Sequence, residues 1–362
     1  MQFNKIKLKD IADINMGQSP SGSSYNNNGR GIPFLQGNKT FGFLYPTIDT
    51  WTTEPKKIGK KNSVLMSVRA PVGDLNIANK DICIGRGLCS IEMKNGNNQY
   101  LYYLLKNSIK KIKMKSTGTV FDSINRKELE NIEILDFNKS QQKKISKVLF
   151  DIDKKIELNT QTNDNLLKIG LELLKEDFNK KTEYEVLSNV IKFVKGKKPS
   201  DITHELKEGY KKYLTIACLN GQEVNYADPT KMVLANNDLL MVMDGASSGE
   251  VYYGGQGLVG STLSRVDCID GKYISEFIYF IMKYYKDLIQ SKNTGSAIPH
   301  TDRVFVGNLK VPKLLIDEQE KYKILLHKIL QNINENKILE QLRDTLLPKL
   351  MNGEIDLDKI EI

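Results

Sequence analysis

The residues that could do covalent or metal chemistry are few, and their spacing assembles none. Cys83, Cys89, Cys218 and Cys268 form no CxxC pair, and three histidines complete no zinc framework. The thiols read as buried cysteines of a reducing compartment. No GxxxxGK(S/T) phosphate loop is present, and Gly85-Arg-Gly87 lacks the third glycine of a dinucleotide fingerprint. Gly254-Gly-Gln-Gly257 reads as a hairpin turn. HExxH, GxSxG and the zinc-deaminase pattern are missing, as is the Asn/Asp-Pro-Pro-aromatic string of amino-methyltransferases. The carboxylate pairs Asp151/Asp153 and Asp356/Asp358 fall on a helix face and in a tail, where solvated charge is the expectation. His300 either touches a ligand or is a satisfied surface histidine. No active site emerges, so the chain is expected to be no enzyme and to hold neither metal nor cofactor.

Recognition chemistry remains. The 362 residues carry 53 lysines and arginines against 44 aspartates and glutamates, a net +9. The surplus is concentrated: residues 1–139 hold 21 basic and 12 acidic groups, whereas the rest of the chain is close to neutral. Such a surplus suits a polyanion, although charge by itself concerns association rather than fold. Reading DNA needs cations for phosphates and polar, bidentate side chains for base edges. In the first half these cluster on expected loops at Gln18, Ser19, Ser21, Lys39, Arg69, Arg86, Thr117 and Thr119. Second-half counterparts are Lys195, Lys197, Lys198, Ser200, Ser247, Ser248, Ser296, His300 and Arg303. Lys106, Lys110, Lys111, Lys113 and Lys115 form a run that faces either phosphates or bulk solvent.

The elements that must position these residues occur twice. Gly17-Gln-Ser-Pro20-Ser21 matches Gly196-Lys-Lys-Pro199-Ser200, and the buried-strand run at Val64 matches that at Leu239. Ser116-Thr-Gly-Thr119 matches Asn293-Thr-Gly-Ser296, and Gln141-Gln-Lys-Lys-Ile145 matches Glu318-Gln-Glu-Lys-Tyr322. Four matches in one order, at nearly one offset, define a duplicated half. Each half opens with short strands punctuated by Gly, Pro and Asn and one helical stretch, Gln99–Lys115 or Tyr273–Lys292. A long helix follows, Ser140–Phe178 in the first half and Asp317–Met351 in the second.

Ile145, Leu149, Ile152, Ile156, Asn159, Asn163, Leu166, Gly170 and Leu173 are spaced alternately four and three apart, a coiled-coil seam. The second helix offers Tyr322, Leu326, Ile329 and Ile333, then drifts in phase to Leu339, Leu342, Leu346 and Leu350. Asn159 and its repeat equivalent Asn336 either fix register or face solvent at the phase slip. Val148, Leu167, Ile169, Leu171, Leu174, Leu325, Ile338 and Leu347 form a second apolar face, for another chain or for the protein's own heads. The expected fold is α+β: two similar mixed α/β domains, 1–139 and 182–316, separated by long antiparallel coiled-coil helices, 140–181 and 317–362, with pseudo-twofold symmetry. The densest apolar run, Phe277–Met282, is too short to span a bilayer, and the N-terminus lacks a signal-peptide core. A cytoplasmic, membrane-free protein is expected.

These features resemble the specificity (S) subunit of type I restriction–modification systems. The likeness covers essentially the whole chain. Its most specific matches are Gln141-Gln-Lys-Lys-Ile145 with Ile156-Glu-Leu-Asn159, and the C-terminal Leu342-Arg-Asp-Thr-Leu-Leu-Pro-Lys-Leu-Met-Asn-Gly-Glu-Ile355. The resemblance implies two target-recognition domains, each reading half of a bipartite site in double-stranded DNA. It also implies spacer helices that dock two methyltransferase (M) subunits, with restriction (R) subunits completing the assembly. S-adenosylmethionine would belong to the methyltransferase partner, and the specificity subunit itself would be non-catalytic. The alternative is a stand-alone site-specific DNA-binding regulator, which needs no partner.

Overall fold

The structure, a computed structural model, describes residues 4–115, 123–295 and 298–357, apart from the side chains of 114 and 115. It contains two compact units, Met1–Asn159 with Glu335–Ile362, and Thr160–Asn334.

In the first unit, the main strands are β1 (Ala12–Met16), β2 (Ile32–Leu35), β3 (Val64–Ser67), β4 (Leu75–Ile77), β5 (Ile82–Ile84) and β6 (Leu88–Met93). An antiparallel sheet runs β1-β6-β3-β4, while β2 joins β5 in parallel through Phe34–Cys83 and Leu35–Ile84. Helix α1 (Asn98–Lys115) buries Leu101, Leu104, Leu105 and Ile112, the stripe that a period of 3.6 brings to one face. These residues join Val64, Met66 and Ile91 in one core, leaving Lys110, Lys111 and Lys113 exposed.

The second unit repeats the plan after α2 (Lys139–Lys180) has carried the chain into it. Strands β7 (Ile191–Lys195), β8 (Lys211–Leu214), β9 (Leu234–Val242), β10 (Val251–Val259) and β11 (Leu263–Cys268) form one sheet in the order β7-β11-β9-β10-β8, with Asn225–Ala227 at its edge. The parallel pair recurs as Tyr213–Leu258 and Leu214–Val259. A single continuous β10 stands where the first unit has β4, a turn and β5. Gly254-Gly-Gln-Gly257 therefore lies inside a strand, which corrects the expected hairpin turn. It faces a bulge in β9 around Asn237, and a Cβ on Gly257 would stand 2.1 Å from the Lys212 carbonyl oxygen. The helical stretch expected over Tyr273–Lys292 divides at Tyr285 into α3 (Ser275–Tyr284) and a shorter helix, Lys286–Ser291.

The second long helix, α4, spans Ile316–Met351. Within each unit the portions of α2 and α4 run antiparallel. Asn159 donates to Asn336 Oδ1 (2.9 Å) in the first unit, and Asn332 donates to Asn163 Oδ1 (2.8 Å) in the second. With Asn159 only 3% exposed, the register-fixing reading holds over the solvent-facing one. The seam itself differs from the expected phase in α4. Ile333 and Leu342 are 39% and 45% exposed, while Asn332 and Arg343 are buried. Asp153, expected on a solvated face, is fully buried and receives hydrogen bonds from Tyr103 and Arg343.

The second apolar face is mostly consumed by the protein itself. Leu174 and Leu347 are buried core residues, and Val148, Leu167 and Leu325 pack against the cores. Ile169 and Ile338 stay exposed.

Both long helices begin alike. Gln142 and Gln319, at equivalent positions, are buried and donate back to the carbonyls of Phe137 (2.7 Å) and Leu314 (3.0 Å). Packing is close within the second unit: a Cβ on Gly170 would lie 2.1 Å from Cε1 of the fully buried Phe280. Gly170→Ala is accordingly expected to destabilise that unit. Overpacking at roughly 1–3 kcal/mol outweighs the roughly 1 kcal/mol that alanine gains over glycine in a helix. A urea midpoint at or above that of the wild type would contradict this packing.

Candidate nucleic-acid interface

The same hydrogen-bond frame closes the strand ends of both units. In the first, Gly17 N donates to Leu88 O, Gln18 N to Ile84 O, Gly85 N to Leu35 O and Ile124 N to Val68 O, at 2.8–3.1 Å. In the second, Gly196 N donates to Leu263 O, Lys197 N to Val259 O, Gly260 N to Leu214 O and Thr301 N to Met243 O, at 2.8–3.0 Å. Glycine is required where the loops cross. A Cβ on Gly17 would meet Gly85 O at 2.1 Å, and one on Gly196 would meet Gly260 O at the same distance. The paired Gly-x-x-Pro-Ser strings thus mark one backbone crossing, built twice.

On this common frame the side chains differ. Equivalent positions carry Gln18 and Lys197, Ser19 and Lys198, Arg69 and Asp244, Arg86 and Ser261, and Ser123 and His300. The last of these follow from isolated bridges, Arg69–Ser123 and Asp244–His300. A repeated backbone that carries different polar groups in each unit is suited to recognition.

In the first unit the structure brings Gln18, Ser19 and Arg86 together. The Arg86 amide donates to Ser19 Oγ (3.2 Å), and the Ser19 hydroxyl donates to Gln36 Oε1 (2.9 Å). Gln36, exposed at the centre of this cluster, belongs to no motif that singles it out in the sequence. Its one signal is its position directly after β2, at the parallel pairing with β5. Arg69 is exposed beside the same loops, since Val68 N donates to Gly87 O. Lys39 is exposed three residues beyond Gln36, and Ser21 is exposed with its hydroxyl against Ser23 (2.8 Å). Lys110, Lys111 and Lys113 lie apart on α1, whose Ile109 and Lys113 side chains run over the backbone at Gly73. Lys106 departs from the run. It is half-buried with its ammonium over the Tyr102 ring, and burial lowers its pKa. Thr117 and Thr119 lie outside the described residues, as does Ser296.

In the second unit Lys195, Lys197, Lys198 and Ser200 are exposed around the Gly196 crossing, with Lys197 Nζ donating to Lys231 O (3.2 Å). His300 is exposed and its Nδ1 is held 2.8 Å from Asp244 Oδ1, so Nε2 is the ring's remaining polar atom. Sequence reasoning misses Asp244 because its partner is distant along the chain. Arg303 is exposed at the first position of the short helix Arg303–Gly307, which Asp302 caps. Ser247 is half-buried. Ser248 is a correction: it is 0% exposed and its hydroxyl points inward, with the carbonyl oxygens of Gly245 (2.7 Å) and Pro299 (2.8 Å) both within reach of its one proton. It braces the loop and presents no side chain for contact.

Among the described residues, no group of histidine, cysteine or carboxylate side chains could hold a metal ion, and no helix is long and apolar enough to cross a membrane.

The frame and its repetition have a counterpart among known proteins. The sequence matches the type I restriction modification DNA specificity domain twice, over residues 2–168 and 179–344, and the chain belongs to that family. It is 43% identical over 157 residues to a Methanocaldococcus jannaschii chain named as the putative MjaX specificity subunit of a type I restriction enzyme, and 26% identical over 171 residues to the MjaVIII specificity subunit of the same organism. These alignments span only 37% and 40% of the relatives' lengths. The MjaIX specificity subunit is 23% identical, across 98% of this chain and 94% of its own. The crystal structure of a type I restriction-modification S subunit from M. genitalium shares the fold, with a TM-score of 0.65 at 19% identity, covering 97% of this chain and 96% of that one.

Proposed function

We propose that this chain is the non-catalytic DNA reader of a type I restriction–modification complex, recognising a bipartite site in double-stranded DNA with one half-site per domain. One observation carries the reading: the two domains repeat a single backbone crossing at their strand ends while exchanging the polar side chains mounted on it. A repeated frame supplies equivalent docking, and different side chains supply different base preferences. Methyl transfer from S-adenosylmethionine belongs to two methyltransferase subunits that dock on the long helices, with restriction subunits joining the assembly. Leu158, Ile338 and Leu342 in the first unit, and Ile169 and Ile324 in the second, are 45–66% exposed on those helices and support such docking.

Selection from a randomised duplex library, using the full chain co-purified with its methyltransferase, should return two short conserved blocks around a non-specific gap. Mass measurement should give two methyltransferases per chain. A stand-alone regulator would select its site equally well without the partner.

Phosphate contacts should be separable from base contacts. Neutralising Lys110, Lys111 and Lys113 to glutamine is expected to weaken binding to all sequences alike. The slope of log affinity against log salt should flatten by about 0.9 for each phosphate that the variant no longer neutralises. An unchanged slope would assign these lysines to solvent.

A further inference from the structure

We propose that Gln36 is a specificity-determining residue of the first unit, recognising an adenine at that unit's half-site. The inference rests on the DNA-reading function above and adds a residue and a base to it.

Three segments converge on Gln36: the turn after β1, its own loop after β2, and Gly85-Arg86-Gly87. The glycine backbone of the third segment approaches it too closely for a side chain to intervene. A Cβ on Gly85 would lie 2.8 Å from Gln36 Oε1 and 2.9 Å from its Cα, and one on Gly87 would lie 2.7 Å from the Gln36 carbonyl oxygen. The main chain of Gln36 is pinned because its carbonyl accepts from Gly87 N (3.2 Å). Its side chain is pinned by a short relay from Arg86 N–H to Ser19 Oγ, and from the Ser19 hydroxyl to Gln36 Oε1. The relay also orients the amide. Ser19 Oγ accepts from the Arg86 backbone N–H and passes its own proton to Oε1, which leaves Nε2 pointing away from the serine.

An exposed glutamine would ordinarily sample many rotamers and lose that freedom on binding. Here the amide is held in place beforehand, with one Oε1 lone pair and both Nε2 protons uncommitted within this relay. A glutamine amide with an acceptor and a donor side by side matches adenine N6 and N7 in the major groove. The second unit carries a different residue at the equivalent position. There the residue after the parallel pairing is Thr215, whose hydroxyl accepts from Cys218 N (3.1 Å) as a helix cap. The predicted reader therefore acts on one half-site only.

The test compares sequence selection by the full chain, in complex with its methyltransferase, for wild type, Gln36→Glu and Gln36→Met. Thermal midpoints are measured in parallel. Wild type should require adenine at one position of one block. Gln36→Glu, which offers acceptors only, should lose on the order of 10- to 100-fold of that preference and shift it toward cytosine, whose N4 is a donor. Gln36→Met should lose the preference and acquire no new one; it also serves if the glutamate variant is unstable. The second block should not change. A residue that merely supported the loop would weaken the whole first block without changing which base is chosen. Wild type that selects no motif overturns the DNA-reading function itself. A wild-type motif that both folded variants reproduce with unchanged weights overturns the assignment of Gln36 alone.

Discussion

Replacing Asp153 with alanine is expected to destabilise the first unit by about 3–5 kcal/mol, because it leaves a buried cation without its counter-ion. Asp153 and Arg343 are 1% and 9% exposed as side chains, with Arg343 Nη1 2.8 Å from Asp153 Oδ1. The other carboxylate oxygen accepts from the Tyr103 hydroxyl (2.7 Å). Burial, reinforced by the charge of Asp153, drives the tyrosine pKa far up, so Tyr103 serves as a neutral donor. Burial disfavours the Arg343 cation, but its hydrogen bonds to Asp344 and Asp153 outweigh this and raise its pKa. Asp344 is 62% exposed and cannot by itself offset the desolvation of Arg343. Replacing the pair together, as Asp153→Leu with Arg343→Met, should recover part of the loss, since an apolar pair leaves no stranded charge but takes the acceptor from the Tyr103 hydroxyl. Guanidinium unfolding of the single and double variants measures both quantities. A single-variant cost below about 1 kcal/mol would mean that Arg343 swings out to water.

If each unit reads one half-site, as proposed, Gly196→Val should abolish discrimination at the second unit's half-site and leave the other half-site selective. Cβ at this position would stand 2.1 Å from Gly260 O and 2.5 Å from Val259 O, and both are backbone atoms of the loop crossing. The crossing must open, displacing Lys195, Lys197, Lys198 and Ser200 together. Specific binding usually exceeds non-specific binding by roughly 4–10 kcal/mol. Losing one of two half-sites should therefore cost about 2–5 kcal/mol of specific affinity. Titrating the assembled complex against its full target, and against targets with either half scrambled, reads this directly. Scrambling the second half-site should then make no further difference. If it does, the Gly196 crossing does not position the residues that read that half.

How much of this is legible in the sequence follows from the range of each interaction. The duplication, the long helices and the buried face of α1 are written in local period and in self-similarity, which the chain carries without folding. Family membership comes with them, because Gln141-Gln and its repeat are local strings at the start of each long helix, although Gln142 and Gln319 also bond to Asn95, Lys272 and Ile274, which only folding brings near. The phase of the seam in α4 is misread when apolarity alone assigns it. Arg343 occupies a buried position that only Asp153, far away in sequence, makes tolerable. Serine in a glycine-rich loop reads as surface, so Ser248 passes for a contact residue, while the carbonyls that bury it come from the fold. Gln36 and Asp244 escape notice for the complementary reason. Neither belongs to a local pattern, and each is held by a side chain delivered from another loop. Sequence by itself determined the long helices, the repetition and the family. Tertiary structure decided which polar side chains are buried, which are held out and which are spent on the protein itself, because those outcomes depend on contacts that exist only once distant segments meet.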